Sequence, residues 1–283
     1  MSVAFVGTAC GGMVMSPLAN WFIVNYSWRV AFALAGVEIL ALVLPTIYFL
    51  IRTRPSEMGL EPYRDAAAET AISEEAWGVD VRDAFSMPVF WQISAIILIV
   101  ALVTAGVGYH CVAYLTDLGH SPDSATFAWS MVMGVMILGK IVTGPVADRW
   151  GAKNTTAAAC VLFSLSIVIL TLARSYPVAI LFAVVYGFTL GAPLVLNPLL
   201  TGDYLGMKNF GTIFAIFNVM GTIGGNVGPI AAGIFFDRQK TYLPVFYVFA
   251  VLMVLAVVCS ILIKPLSESS GAAGQPQSAD AAG

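Results

Sequence analysis

Eight apolar runs of about 20 residues can be cut from the chain, at 3–24, 30–51, 88–115, 125–147, 155–173, 178–200, 210–235 and 242–263. Each is long enough for one helical crossing of a hydrocarbon layer. None carries the ten-residue polar/apolar alternation of a membrane barrel. Backbone groups in hydrocarbon must satisfy one another, so helices are the expected spans. The pattern predicts an all-α polytopic membrane protein with eight transmembrane helices. Polar positions concentrate in a connector at 52–87 and in the tail SESSGAAGQPQSADAAG. The connector is long for a helix–helix link and contains AAAETAISEEAW, a candidate surface helix with its acids outward. The tail is too small and polar to pack and is expected to be disordered.

Composition strengthens this reading. Hydrophobic residues make up 59% of the chain and charged residues 10%, an excess of apolar surface that no aqueous core absorbs. The net charge of −3 says little about partners, because half of the 16 acids lie in the connector (Glu57, Glu61, Asp65, Glu69, Glu74, Glu75, Asp80 and Asp83). Cys10, Cys111, Cys160 and Cys259 fall in four different runs with no CxxC spacing, and read as small hydrophobes. Positive charge is retained on the cytoplasmic side. With the N-terminus inside, Arg52, Arg54, Arg64, Arg82, Arg149, Lys153, Lys208 and Lys264 face the cytoplasm, Arg29, Arg174, Arg238 and Lys240 face outward, and Lys140 lies near a membrane face. Both termini are then expected to be cytoplasmic.

The first and seventh runs share a pattern. Gly12 to Phe22 (GMVMSPLANWF) aligns with Gly224 to Ile234 (GGNVGPIAAGI), and each is followed by an apolar run that ends in a base before proline, Arg54-Pro55 and Lys264-Pro265. Runs one and two therefore read as a second copy of runs seven and eight. The expected division is 1–51 as the last two helices of an earlier half, 52–87 as a cytoplasmic central loop, 88–265 as a six-helix half and 266–283 as a tail. That division predicts a twelve-helix parent with four further helices upstream.

Between the fourth and fifth runs stands Gly144-Pro-Val-Ala-Asp148-Arg149-Trp-Gly151-Ala-Lys153. It resembles the G-x-x-x-D-R-x-G-x-K signature of the major facilitator superfamily, with Asn154 where that pattern has a second closing base. Gly144 and Gly151 would permit close approach and a sharp turn, Asp148 would accept from a neighbouring helix N-terminus, and Arg149 and Lys153 would sit at the inner face. Tyr26-Ser27-Trp28-Arg29, Arg54-Pro55-Ser-Glu-Met-Gly59 and His110-Cys-Val-Ala-Tyr114 are similar in texture to the oxalate/formate and monocarboxylate transporter group. The resemblance implies secondary active transport of a small organic anion, a mono- or dicarboxylate, by alternating access in a bacterial inner membrane. Partners would be the solute, protons and the lipid bilayer, without nucleic acid.

Ionisable and amide groups within spans are the candidate site residues, because hydrocarbon makes them costly. Glu38 shares a helical face with Ala31, Ala35 and Pro45, and reads as a proton-coupling carboxylate or as a neutral acid bonded between helices. His110 shares a face with Gly106, Ala113 and Asp117. Asn197, between Pro193 and Pro198, is expected at a helix break that frees carbonyls to line protein or water, and reads as a cavity residue. Asn218 is expected on a packed stripe with Gly211, Ala215, Gly225 and Pro229. Lys140, one turn before the signature, reads as a substrate or coupling candidate or as a base that snorkels to the inner face. Gly221 to Gly228 follows no strand, so it reads as close helix packing and not as a phosphate loop. No ATP-binding loop, metal cluster, H-E-x-x-H or G-x-S-x-G is present, so neither cofactor nor enzyme activity is expected. A second function class stays open: a truncated chain that inserts without transporting, or serves as a scaffold.

Overall fold

The computed structural model describes Gly11, Val14, Met15 and residues 18–50 and 77–264. The first apolar run, most of the central connector and the tail lie largely or wholly outside the described residues. The helices are α1 (residues 18–25), α2 (Trp28–Glu38), α3 (Leu44–Leu50), α4 (Val81–Ala84), α5 (Pro88–Asp117), α6 (Pro122–Trp150), α7 (Ala152–Thr171), α8 (Tyr176–Leu190), α9 (Ala192–Leu205), α10 (Phe210–Gln239) and α11 (Leu243–Leu262). A π-helical turn, Ile39–Val43, joins α2 to α3. Pro45 supplies no N–H to a helical ladder, which suits a widened turn just before it. Seven segments among the described residues are long and apolar enough to cross a membrane: Trp28–Phe49, α5, α6, α7, the α8–α9 pair, α10 and α11.

Proline and serine punctuate the starts. Pro122 opens α6 behind Ser121, whose Oγ accepts from the Ser124 amide at 3.2 Å. A proline also stands in the first turn of α5, α8, α9 and α11, where its missing N–H would have been an orphan in any case.

Small residues set the packing. On α10, Gly224 and Gly228 press against the Leu98 and Leu102 carbonyls of α5. Phe217 meets Phe90 with ring centroids 5.0 Å apart. The contacts advance in step along both helices, so α5 and α10 run parallel. Gly139 on α6 abuts the Phe188 carbonyl, and Gly187 on α8 abuts Val132, which makes α6 and α8 a second parallel pair. Lipid tails give helices no hydrophobic drive to associate, so such backbone proximity carries the attraction through dispersion. The pair α7 and α11 is antiparallel: Ser164 Oγ donates to the Ala250 carbonyl at 3.1 Å and Ser260 Oγ to the Lys153 carbonyl at 2.9 Å. Between these pairs lies a core of Phe90, Phe163, Phe182, Tyr186, Phe217, Phe246 and Phe249, all fully buried. Tyr186 places its hydroxyl on the Thr104 carbonyl at 3.0 Å.

The segment Trp28–Phe49 stands apart, with Ala31 the buried residue of α2. The end of the connector is better anchored. Gly78 bridges Gly206, Val79 N donates to the Leu205 carbonyl at 3.0 Å and Met207 N to the Trp77 carbonyl at 2.7 Å. Lys208 pairs with Asp80 at 3.1 Å, and Asn209 Nδ2 donates to the Val79 carbonyl at 3.1 Å. Residues 77–80 thus form a strap across the α9–α10 link. The hydrogen bond and charge of Lys208, then Asn209, hold the Asp80 carboxyl below its usual range.

Candidate functional site

The signature is not a loop. Residues 144 to 150 form the last two turns of α6, and the turn is Gly151 alone, at φ +80°. Lys153 lies in the first turn of α7 and donates from Nζ to the Ile263 carbonyl at 2.6 Å, closing the C-terminal end of α11 with a positive charge. Asp148 and Arg149 are exposed, and Asp148 accepts from no helix N-terminus among the described residues. Among the described residues that acceptor role is not seen: α6 continues through the motif and leaves Asp148 exposed.

That continuation also corrects Lys140. It lies ten residues before the end of α6, about 15 Å along the axis. The side chain is 0% exposed. It does not snorkel; its backbone packs on Gly191, where a methyl group would come within 2.6 Å of the Lys140 nitrogen. The α8–α9 break falls at that same Gly191, not near Asn197. Pro193 sits in the first turn of the restarted helix, while Pro198 is accommodated inside α9. Asn197 borders a small cavity of about 10 Å³ between α5, α7 and α9, together with Thr156 and Pro193. That is room for about one water.

His110, near the end of α5 away from the signature, is bonded through both ring nitrogens. Nε2 lies 3.1 Å from the Pro229 carbonyl of α10 and Nδ1 3.2 Å from the Tyr242 hydroxyl in the α10–α11 link. A carbonyl only accepts, so Nε2 carries the proton and Nδ1 accepts from Tyr242 in the neutral ring. Burial, then the Asp117 and Asp237 carboxylates, push the Tyr242 phenol above its usual value.

Asn218 departs from its expected stripe. The face of α10 that packs is Ile213, Phe217, Gly224, Gly228 and Ala232, whereas Asn218 is exposed and donates to its own helix, to the Phe214 carbonyl at 2.9 Å. Thr222 and Asn226 repeat the arrangement one and two turns on. Each side chain of this row gives a donor to the backbone four residues earlier; Thr222 is left with oxygen lone pairs, while Asn218 and Asn226 each keep a second amide N–H beside a carbonyl oxygen. Glu38 lines a cavity of about 360 Å³ between α1 and the Trp28–Phe49 segment, with Ala31, Ala35 and Leu42. The structure therefore spreads the five candidates over separate places. It also assembles two features that no sequence spacing announced, the Tyr242–His110–Pro229 chain and the strap at 77–80. Both join residues more than a hundred positions apart.

Two stretches of the chain, 1–136 and 111–281, match the Major Facilitator Superfamily. Similar relatives include monocarboxylate transporter 12-B of Danio rerio, 24% identical over 87% of this chain and 56% of the relative. The benzoate transport protein of Acinetobacter baylyi is 25% identical over 91% of this chain and 59% of its own length. The cis,cis-muconate transport protein of the same organism is 25% identical over 80% and 54%. The chain spans about half the length of the curated relatives it matches. With apolar helices, the signature at Gly144–Lys153 and a family match covering nearly all of its length, this chain belongs to the Major Facilitator Superfamily.

Proposed function

We propose that the chain is the larger part of a secondary transporter that moves a small organic anion, a mono- or dicarboxylate, by alternating access, with Lys140 as the carboxylate's counter-charge. The observation that carries this reading is the burial of a lysine within an apolar bundle, beside the α8–α9 break. A charged group inside a membrane-spanning bundle is costly and marks solute or ion pathways. Benzoate, cis,cis-muconate and monocarboxylates are what the names of the similar proteins give as cargo, and all are carboxylates. In this reading the chain comprises eight transmembrane helices. Residues 1–51 are the last two helices of an N-terminal half, 52–87 the central loop and 88–265 the C-terminal six-helix half, with both termini cytoplasmic in the plasma membrane. Glu38 serves as a proton-coupling group.

Residues 1–283, reconstituted in liposomes, are to be tested for uptake of benzoate and other mono- and dicarboxylates. Uptake above empty vesicles that is lost in Lys140→Gln and kept in part in Lys140→Arg supports the assignment. Equal uptake by Lys140→Gln refutes the role of Lys140, and unchanged pH dependence in Glu38→Gln refutes that of Glu38. A second reading, that the chain inserts but does not transport alone, is favoured by the additional length of its relatives. It predicts no uptake of any carboxylate.

A further inference from the structure

A cavity of about 690 Å³ lies between α1 and the first half of α6, where Asn25, Trp21, Asp123, Thr126, Phe127 and Ser130 meet. The volume is that of a small-molecule site. Its chemistry differs from that of the Lys140 region, which lies on another face of α6, against Gly191.

Three independent features define what it accepts. The first is charge: Asp123 is the ionisable group in the lining, and no lysine or arginine lines the cavity. Among the described residues Asp123 is in no ion pair. The base next along the chain from α1, Arg29, lays its guanidinium over the Trp28 ring at 4.5 Å and does not line the cavity. Asp123 stands in the first turn of α6, where the N-terminal end of the helix stabilises negative charge.

The second is hydrogen bonding. Asn25 Nδ2 donates to the Trp21 carbonyl at 2.8 Å, Thr126 Oγ1 to the Pro122 carbonyl at 2.8 Å and Ser130 Oγ to the Thr126 carbonyl at 3.0 Å. With their hydroxyl protons committed to the backbone, Thr126 and Ser130 offer an occupant oxygen lone pairs; they stand beside the Asp123 carboxylate and the amide carbonyls of Asn20 and Asn25, whose amide groups also keep N–H donors. The third is the wall. Trp21 and Phe127 are 51% and 55% exposed, which leaves two aromatic rings available to a ligand. Ring faces attract cations.

We infer that this cavity binds a small organic ammonium ion, its N–H groups directed to Asp123 and the oxygen row and its carbon body to Trp21 and Phe127. A carboxylate would meet the like charge of Asp123, with no lysine or arginine in the lining to offset it. The site is thus separate from the anion pathway proposed above and does not depend on it.

The test uses residues 1–283 in lipid nanodiscs titrated with phenethylammonium, read by tryptophan fluorescence. A saturable change is expected, abolished in Trp21→Phe, which assigns the signal among the six tryptophans. The apparent Kd should rise at least about tenfold in Asp123→Asn and about threefold in Phe127→Leu, and stay within about threefold in Asp123→Glu. Benzoate at the same concentrations should give no saturable change. The proposal is overturned if Asp123→Asn binds as the parent does, if benzoate binds equally well, or if the signal survives Trp21→Phe. Thermal melting of each variant establishes folding. Should Asp123→Asn fail to fold, Asp123→Glu and Phe127→Leu decide the outcome: loss of binding in Asp123→Glu, or none in Phe127→Leu, refutes the geometry.

Discussion

Replacing Gly228 by alanine tests the contact on which the α5–α10 pair is built. The added methyl would lie 2.8 Å from the Leu102 carbonyl carbon and 3.1 Å from the Gly106 nitrogen, with the Leu102 oxygen closer still. These are backbone atoms, so no side chain can swing aside. Relief requires the two helices to part by about 0.5–1 Å, which forfeits a quarter to a half of the dispersion well at each facing atom pair. Overpacking of this kind costs about 1–3 kcal/mol. The site lies in a long contact between two 30-residue helices, which places it at about 2–3 kcal/mol, or a fall in Tm of roughly 4–12 °C. Gly225→Ala is the matched control on the same helix, since a methyl there meets nothing within 4 Å. Alanine's better helix propensity should leave that variant unchanged or up to about 1 kcal/mol more stable. Both variants are to be followed by thermal unfolding in detergent. Equal melting of the two would refute the claim that Gly228 is required by backbone proximity.

The remaining predictions concern the links at the bundle's two ends. Lys153→Met keeps the apolar stem but loses the bond to the Ile263 carbonyl, and should destabilise the chain by about 1–2 kcal/mol in the same assay. Gly206→Ala places a Cβ at φ +78° against Trp77, so the strap at 77–80 should detach and proteolysis near Trp77 should quicken. The lowered Asp80 carboxyl stabilises the strap above the ordinary carboxylate value of about 3.9, and that contribution is lost as pH falls through the folded value. Amide exchange at Val79 and Met207 should therefore accelerate below about pH 4. High salt should blunt the effect, because the Lys208–Asp80 pair is exposed. Nitrogen NMR of labelled histidine should show His110 with its proton on Nε2; a proton on Nδ1 would contradict the bond to the Pro229 carbonyl.

Crossing helices were legible because apolar length alone specifies them in lipid: the runs at 88–115 and 210–235 became α5 and α10, extended by a few residues at their ends. The family signature was legible as spacing. Its shape was not, because a proline at 145 and a charged pair at 148–149 look like a turn unless the helix is seen to continue through them. The break in the sixth run was misplaced for a related reason: two prolines bracket Asn197, yet the interruption between α8 and α9 falls at Gly191, where α6 approaches too closely for any side chain. Asn218 had the right periodicity but the wrong face, since small residues at helical spacing mark a seam without saying which of two seams is used.

The sequence by itself determined that this chain resides in lipid, that it crosses as helices and that it carries a facilitator signature, because those properties follow from local composition and spacing. Only the tertiary structure decided which glycines touch a neighbouring backbone, that Lys140 is buried, that His110 is fixed by Tyr242 and Pro229, and that a cavity lined by Asp123 and two aromatic rings stands between α1 and α6. These depend on how far each helix continues and how it is rotated about its own axis. Both are set by contacts between residues far apart in the chain, which no local pattern encodes.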